Sequence, residues 1–294
     1  MRSLLKVAAT ACVTSLLVVW GLDGLSALAA GKKPEGTPAG RAVQAPAPAE
    51  APLPADTRDS PGQKLRGNRG TSPNRSVAEA APAGSGSISG KVSFSGSAPA
   101  RQKLKMSADP VCLQQHSGEA LSQEVVVNNG ALQHVLVYVK EGAQGSFPAP
   151  TTPVVINQVG CMYEPHVFGI QAGQPLEIRN SDPTLHNINC QAKLNKKFNL
   201  AQPQKGMKTT KTFDKEEVGF SFKCNVHPWM SAHAGVFSHP FFAVSKEDGT
   251  FSIQGLPAGS YTVEAWHEKL GTQVQKITLA EGESKQVSFG FASK

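Results

Sequence analysis

Apolar and polar residues alternate along most of the chain after residue 87, as they do in strands that bury one face. This pattern predicts strands at residues 88–94, 134–140, 248–253, 261–266, 276–279 and 286–291, and the apolar run at 124–127 predicts one more. Long stretches with a helical period are absent, and residues 108–116 are predicted as a loop. The sequence therefore predicts an all-β fold.

The first 86 residues lack this pattern. Arg2 and Lys6 precede an apolar run, and Ala27-Leu28-Ala29 fits a cleavage site, so residues 1–29 are predicted as a signal peptide. A membrane anchor is the competing interpretation, but the run is shorter than the roughly 20 residues that a span needs. Residues 30–86 are rich in Ala, Pro and Gly and are predicted as a disordered linker.

The formal net charge of +7 is spread along the 294 residues. Residues 1–29 carry +1 and residues 31–86 carry +3, which leaves +3 for residues 87–294. Such a small excess over a large surface argues against nucleic acid as a partner.

A candidate metal site centres on Cys224. His227 follows it by three residues, Met230 follows His227 by three more, and His186 stands upstream in a second polar segment. Two His, one Cys and a weak axial Met are the ligand set of a blue-copper electron-transfer site. Zinc fits this set poorly, because structural zinc sites use Cys, His or carboxylates rather than Met.

The spacing Cys-x-x-His-x-x-Met, with Pro228 after the histidine, resembles the ligand loop of amicyanin-type cupredoxins. Residues 163–187 are similar to the cupredoxin segment that carries the first histidine. The resemblance implies one type 1 copper ion with His186, Cys224 and His227 as equatorial ligands and Met230 as the axial one.

The same resemblance assigns roles to residues around the ligands. Asn187 would tie the two ligand loops together, and Val226 would supply an N–H to the sulfur where amicyanin has a proline. Pro228 would stiffen the loop. Trp229 is expected either in a docking patch for a redox partner or in a seam between domains.

Residues 248–263 resemble a carboxypeptidase regulatory-like, or transthyretin-like, β-sandwich, and the opening strands of that family match residues 88–94 and 134–139. We therefore expect a nested architecture, in which a Greek-key cupredoxin sandwich (150–238) is inserted into a transthyretin-like sandwich formed by residues 87–149 and 239–294. Two sandwiches that share strands are the alternative.

Four cysteines remain after removal of the signal, and they allow three pairings. Cys112 and Cys161 are the disulfide candidates because neither lies among candidate ligands. A bridge between Cys190 and Cys224 would abolish the metal site. Cys190 is otherwise expected as an unpaired thiol.

The remaining histidines show no ligand pattern. His166, His233 and His239 are expected to be surface or seam residues, His267 a strand-end residue, and His134 carries no signal.

These observations favour an exported blue copper protein, periplasmic, envelope-bound or extracellular, that carries single electrons between redox partner proteins. Nothing indicates an enzyme, and membrane contact is expected only through an uncleaved signal or tether. The alternatives are a metal-free β-sandwich used for binding or structure, and a copper-handling protein without electron transfer.

Overall fold

The computed structural model describes residues 84–293, and the predicted signal peptide and residues 30–83 of the linker lie outside this range. The first strands are β1 Gly86–Ser95, β2 Val127–Asn128, β3 Ala131–Leu132 and β4 Leu136–Glu141, with the short helix α1 Pro110–Gln114 between β1 and β2. Within residues 84–293 no helix is long and apolar enough to cross a membrane.

Nine strands follow in the middle of the chain: β5 Val154–Val159, β6 Met162–Glu164, β7 Val167–Gln171, β8 Leu176–Asn180, β9 His186–Cys190, β10 Phe198–Gln202, β11 Lys208–Lys211, β12 Glu217–Lys223 and β13 Ser231–Phe237. The last six are β14 Phe242–Val244, β15 Thr250–Leu256, β16 Gly259–His267, β17 Gly271–Leu279, β18 Ser284–Gln286 and β19 Phe289–Ala292. The prediction of an all-β fold is confirmed.

Strand pairing divides these elements into two sandwiches. Strands β5 to β13 form sheets in the orders β10-β9-β12-β13-β7 and β11-β8-β5-β6, which we call the middle sandwich. Strands from both ends of the described chain form the other two sheets, one with β15, β1, β3, β2, β18 and β19 and one in the order β14-β4-β16-β17. We call this pair the terminal sandwich, and the chain leaves it after β4 and returns at β14.

Each sandwich has its own apolar core. Ile156 and Ile178 of one middle sheet face Phe220 and Phe222 of the other, and all four are buried. In the terminal sandwich, Ile88, Val92, Val137 and Val263 come from facing sheets in the same way. Alternation of buried and exposed residues along β1 and β15 explains why the sequence pattern located these strands.

The two sandwiches meet along an apolar seam. Leu136 and Tyr138 of the terminal sandwich pack against Val167 and Phe237 of the middle one. Gly219 has a φ of +78°, and a Cβ there would lie 2.8 Å from the Trp266 ring. A glycine at this position therefore allows both the left-handed backbone and the close approach of the tryptophan.

Two local predictions were wrong. Residues 124–126 form no strand, and pairing begins only at Val127, because this run of valines does not alternate with polar residues. Residues 108–116 are not loop throughout, since Asp109 caps α1 by accepting a hydrogen bond from the N–H of Val111 (2.9 Å).

Residues 101–122 run between β1 and β2 but pack on the middle sandwich, and we call this segment the strap. Met106 and Cys112 are buried in the middle core, and Cys112 forms a disulfide with Cys161 in the turn between β5 and β6. His116 Nε2 lies 2.7 Å from the carbonyl oxygen of Gly160 in the same turn. The strap therefore covers one end of the middle sandwich and is covalently attached there.

Candidate metal centre

The predicted ligands come from three places in the middle sandwich. His186 begins β9, Cys224 follows β12 directly, and His227 and Met230 lie in the tight turn that leads into β13. Backbone hydrogen bonds shape this turn: the N–H of Met230 donates to the carbonyl of His227 (2.9 Å) and that of Cys224 to the carbonyl of Met230 (3.3 Å). Because β9 and β12 pair antiparallel, the start of β9 and the end of β12 lie side by side at the same end of the sheet.

Three of the four candidate side chains converge. One donor atom each from His186, Cys224 and His227 lie within 4.8 Å of one another. The Nδ1 atoms of the two histidines are 2.9 Å apart, and Cys224 Sγ is 3.8 Å from His227 Nδ1. Met230 is 1% exposed in the same core cluster.

Both histidines direct their other ring nitrogen to a carboxylate. His186 Nε2 lies 2.8 Å from Asp182 Oδ2, and His227 Nε2 lies 2.9 Å from Asp109 Oδ2. An ionised carboxylate only accepts hydrogen bonds, so each Nε2 carries a proton, and each Nδ1 is the nitrogen that can bind a metal once it is deprotonated. Two such nitrogens and a sulfur that face one another in a buried space fit a soft or borderline cation, and carboxylate support of this kind fixes the tautomer of ligand histidines.

The environment of Cys224 favours the thiolate that a metal requires. Burial alone would raise the pKa of this thiol, but His186 and the backbone N–H groups of Asn187, His227 and Val226 outweigh burial and lower the pKa. The N–H of His227 lies 3.4 Å from the sulfur.

The histidine pKa values shift in opposite directions. Burial opposes the charged form of His186, yet hydrogen bonds to Asp182 and Cys224 raise its pKa overall. At His227 burial prevails over the hydrogen bond to Asp109, and the pKa is lowered. His227 is therefore ready to act as a neutral ligand.

Asn187 ties the two ligand loops together. Its Oδ1 accepts a hydrogen bond from the N–H of Asn225 (2.6 Å) and lies 3.4 Å from Cys224 Sγ. Val226 and Pro228 are exposed on the outside of the loop.

Trp229 is half-buried against the middle core. Its ring lies 5.1 Å from the His227 ring, and its Nε1–H donates to the carbonyl of Cys161 (3.0 Å). The indole therefore supports the ligand turn from the side of the disulfide rather than standing free on the surface.

The strap covers the edge of His227. This histidine is 2% exposed, and its Nε2 contacts Asp109 of the strap and lies 3.6 Å from Cys112 Sγ. Asp109 precedes His227 by 118 residues, so no local spacing pointed to it.

Asp182 connects the ligands to the disulfide. It accepts hydrogen bonds from the N–H groups of Gly160 (2.9 Å) and Cys161 (2.8 Å) as well as from His186. Asp182 stands four residues before His186 in the segment that the sequence analysis had already singled out, so its supporting role was open to prediction and was missed.

Cys190 remains an unpaired thiol in the middle core. Burial raises its pKa to about 11, so it stays protonated and inert at neutral pH.

Comparisons with known proteins give partial matches only. No family model matches the chain, and no curated protein matches its sequence. A copper-containing nitrite reductase from Thermus scotoductus SA-01 is 23% identical with a TM-score of 0.28, over 32% of this chain and 24% of its own. The chain thus spans about a quarter of that protein.

Reduced variants of amicyanin match with a TM-score of 0.26. One is 21% identical over 29% of this chain and 81% of its own, and another is 18% identical over 34% and 97%. These partial neighbours are cupredoxins, and they leave the rest of the chain unmatched.

Proposed function

We propose that this chain is an exported blue copper protein that carries single electrons between redox partner proteins and is not itself an enzyme. The observation that carries the proposal is the convergence of the Nδ1 atoms of His186 and His227 and the Cys224 sulfur at one buried point. Met230, buried in the same turn, would supply the weak axial ligand of such a site.

A bound copper ion would supply a one-electron couple between Cu(I) and Cu(II). The chain contributes rigidity, because β9 and β12 fix His186 and Cys224 and the Asn187–Asn225 hydrogen bond fixes the distance between their loops. Asp182 and Asp109 hold the imidazole rings in the orientation that binds metal. Little would therefore need to move when an electron arrives or leaves.

The Cys112–Cys161 disulfide supports the exported location, because such bonds persist in oxidising compartments.

A redox partner would meet apolar surface near the ligands. Leu113, Leu185 and Val226 are 56%, 42% and 44% exposed, and each is the sequence neighbour of Cys112, His186 or His227. A transient docking surface would use apolar side chains such as these at its centre.

The test is an optical and paramagnetic resonance spectrum of the full-length protein after addition of Cu(II). We expect intense visible absorption from charge transfer between Cys224 and Cu(II). Cys224→Ser should abolish this absorption, whereas Cys190→Ser should keep it. A wild-type protein that stays colourless with copper would contradict the proposal.

A copper-handling role is the second candidate, and the covered edge of His227 favours it. A buried ligand edge slows electron exchange between molecules while it protects bound Cu(I). Measurement of electron self-exchange by NMR line broadening separates the two roles: slow exchange with tight Cu(I) binding indicates copper handling, and fast exchange indicates an electron carrier.

Val226→Pro should lower the reduction potential of the copper-loaded protein. Proline removes the N–H that stabilises the thiolate, so the sulfur donates more strongly to Cu(II). We expect a shift of about 60 mV, since a hydrogen bond to a charged group is worth about 1.5 kcal/mol. Voltammetry measures it, with Val226→Ala as the control that keeps the N–H. An unchanged or higher potential in the proline variant would refute the assignment.

A further inference from the structure

A second group of metal-binding side chains lies at the seam between the sandwiches. His166 precedes β7, His233 lies in β13, and Glu268 directly follows β16 of the terminal sandwich. One donor atom of each lies within 4.8 Å of the other two. Both histidines were expected to be surface or seam residues, because no spacing in the sequence links them to each other or to Glu268.

The group is withdrawn from solvent. The side chains of His166, His233 and Glu268 are 2%, 15% and 6% exposed. A carboxylate at such a depth needs cationic or hydrogen-bonding partners, because burial of an unpaired charge is costly.

The hydrogen bonds of His166 fix which nitrogen is protonated. Its Nδ1 lies 3.0 Å from the carbonyl oxygen of Ser231, which only accepts, so Nδ1 carries the proton. Its Nε2 then presents a lone pair to a carboxylate oxygen of Glu268. Two acceptors in contact repel each other unless a second proton or a metal cation lies between them.

His233 approaches the other oxygen of the same carboxylate. Its Nε2 lies 3.0 Å from Glu268 Oε2, while its buried Nδ1 has no hydrogen-bond partner within residues 84–293. Each oxygen of the Glu268 carboxylate therefore contacts one imidazole. One anionic group thus faces two imidazoles.

A neighbouring histidine leaves a buried donor without an acceptor. His267 is 1% exposed, and its Nδ1 accepts from the N–H of Lys269 (3.1 Å). Its proton therefore resides on Nε2, and this N–H has no partner. His267 directly precedes Glu268 in the chain.

We propose that His166, His233 and Glu268 bind a zinc ion that connects the two sandwiches. Two imidazoles and one carboxylate are a known zinc ligand set, which leaves a fourth position for water. The set contains too few oxygen ligands for Ca²⁺ or Mg²⁺ and no thiolate for Cu(I).

Such an ion would join the sandwiches with coordinate bonds. The two histidines belong to the middle sandwich and the glutamate to the terminal one. Trp266 packs beside His233, with ring centroids 5.6 Å apart, so the apolar seam and the ion would hold the same pair of surfaces. This site is separate from the copper ligands and does not depend on the proposed electron transfer.

The experiment uses the full chain, freed of metal with a chelator, with Zn²⁺ as the probe. Calorimetric titration should show zinc binding in the wild type and in Cys224→Ser, which removes the thiolate of the other site. The unfolding temperature should rise on addition of Zn²⁺ in both proteins, because a ligand that binds only the folded state stabilises it.

Glu268→Gln should lower zinc affinity by roughly 100-fold or more, because loss of a charged ligand exceeds the 10–100-fold effect of an outer-shell partner. Glu264→Gln is the matched control. Glu264 is also a buried glutamate of the terminal sandwich, but it contacts Tyr138 and Lys140 instead of histidines. His233→Gln gives a second test if Glu268→Gln fails to fold.

A second measurement reports where the metal ion binds. Co²⁺ in the site should quench the fluorescence of nearby Trp266 in the wild type and in Glu264→Gln, but not in Glu268→Gln. The proposal is overturned if Zn²⁺ gives no thermal shift in the wild type and in Cys224→Ser. It is also overturned if the shift persists in both Glu268→Gln and His233→Gln.

Discussion

Replacing Cys112 and Cys161 together by serine is expected to lower the free energy of unfolding by about 4 kcal/mol, for a bridge that spans 49 residues of sequence. The cross-link restricts the unfolded chain, and its loss restores the entropy of a long loop. Cys112 and Cys161 are also fully buried in the middle core, so the polar serine hydroxyls would add a desolvation cost to the loss.

Denaturation in guanidinium chloride measures this change. A reducing agent should destabilise the wild type and leave the double variant unaffected, which separates the cross-link from other effects of the substitutions. A loss below about 1 kcal/mol in the double variant would mean that the strap stays in place without its covalent attachment.

Asp182→Asn is expected to weaken copper binding by about 10- to 100-fold, as loss of a supporting carboxylate does at other metal sites. Asp182 accepts hydrogen bonds from His186 Nε2 and from the N–H groups of Gly160 and Cys161. An asparagine keeps one acceptor oxygen, but its amide would turn an N–H toward a donor. His186 would then lose both its fixed tautomer and its orientation.

Competition with a chelator of known affinity measures the change. Asp214→Asn is the control. This substitution removes the same charge, but at an exposed aspartate that contacts none of the candidate ligands. Circular dichroism should show an intact β fold in both variants. Equal copper affinities of wild type and Asp182→Asn would show that His186 is held by packing alone.

The sequence contained enough information for the fold class and for three side chains, His186, Cys224 and His227, that meet at the candidate metal centre. Alternation along β1 and β15 predicts strands with one buried face. The short spacing from Cys224 to His227 and Met230 predicts a turn that carries metal ligands. The prediction of a strand at residues 124–127 was wrong for residues 124–126. A run of apolar residues without alternation does not by itself require pairing with another strand.

The supporting residues were harder to predict for a physical reason. Asp109 reaches His227 only because the strap folds across from the other sandwich, and Glu268 reaches His166 only because the sandwiches meet. These contacts depend on tertiary packing between elements distant in sequence, so no local pattern of apolar and polar residues predicts them. Asp182 differs, because it precedes its partner by four residues and was visible beside the motif.

The strap has a consequence for how the protein matures. Asp109 and the oxidised Cys112 lie against His227, so a chain that forms its bridge first closes the entrance over empty ligands. If the proposed copper site is correct, the order of metal binding and thiol oxidation should decide what fraction of newly made molecules carries metal.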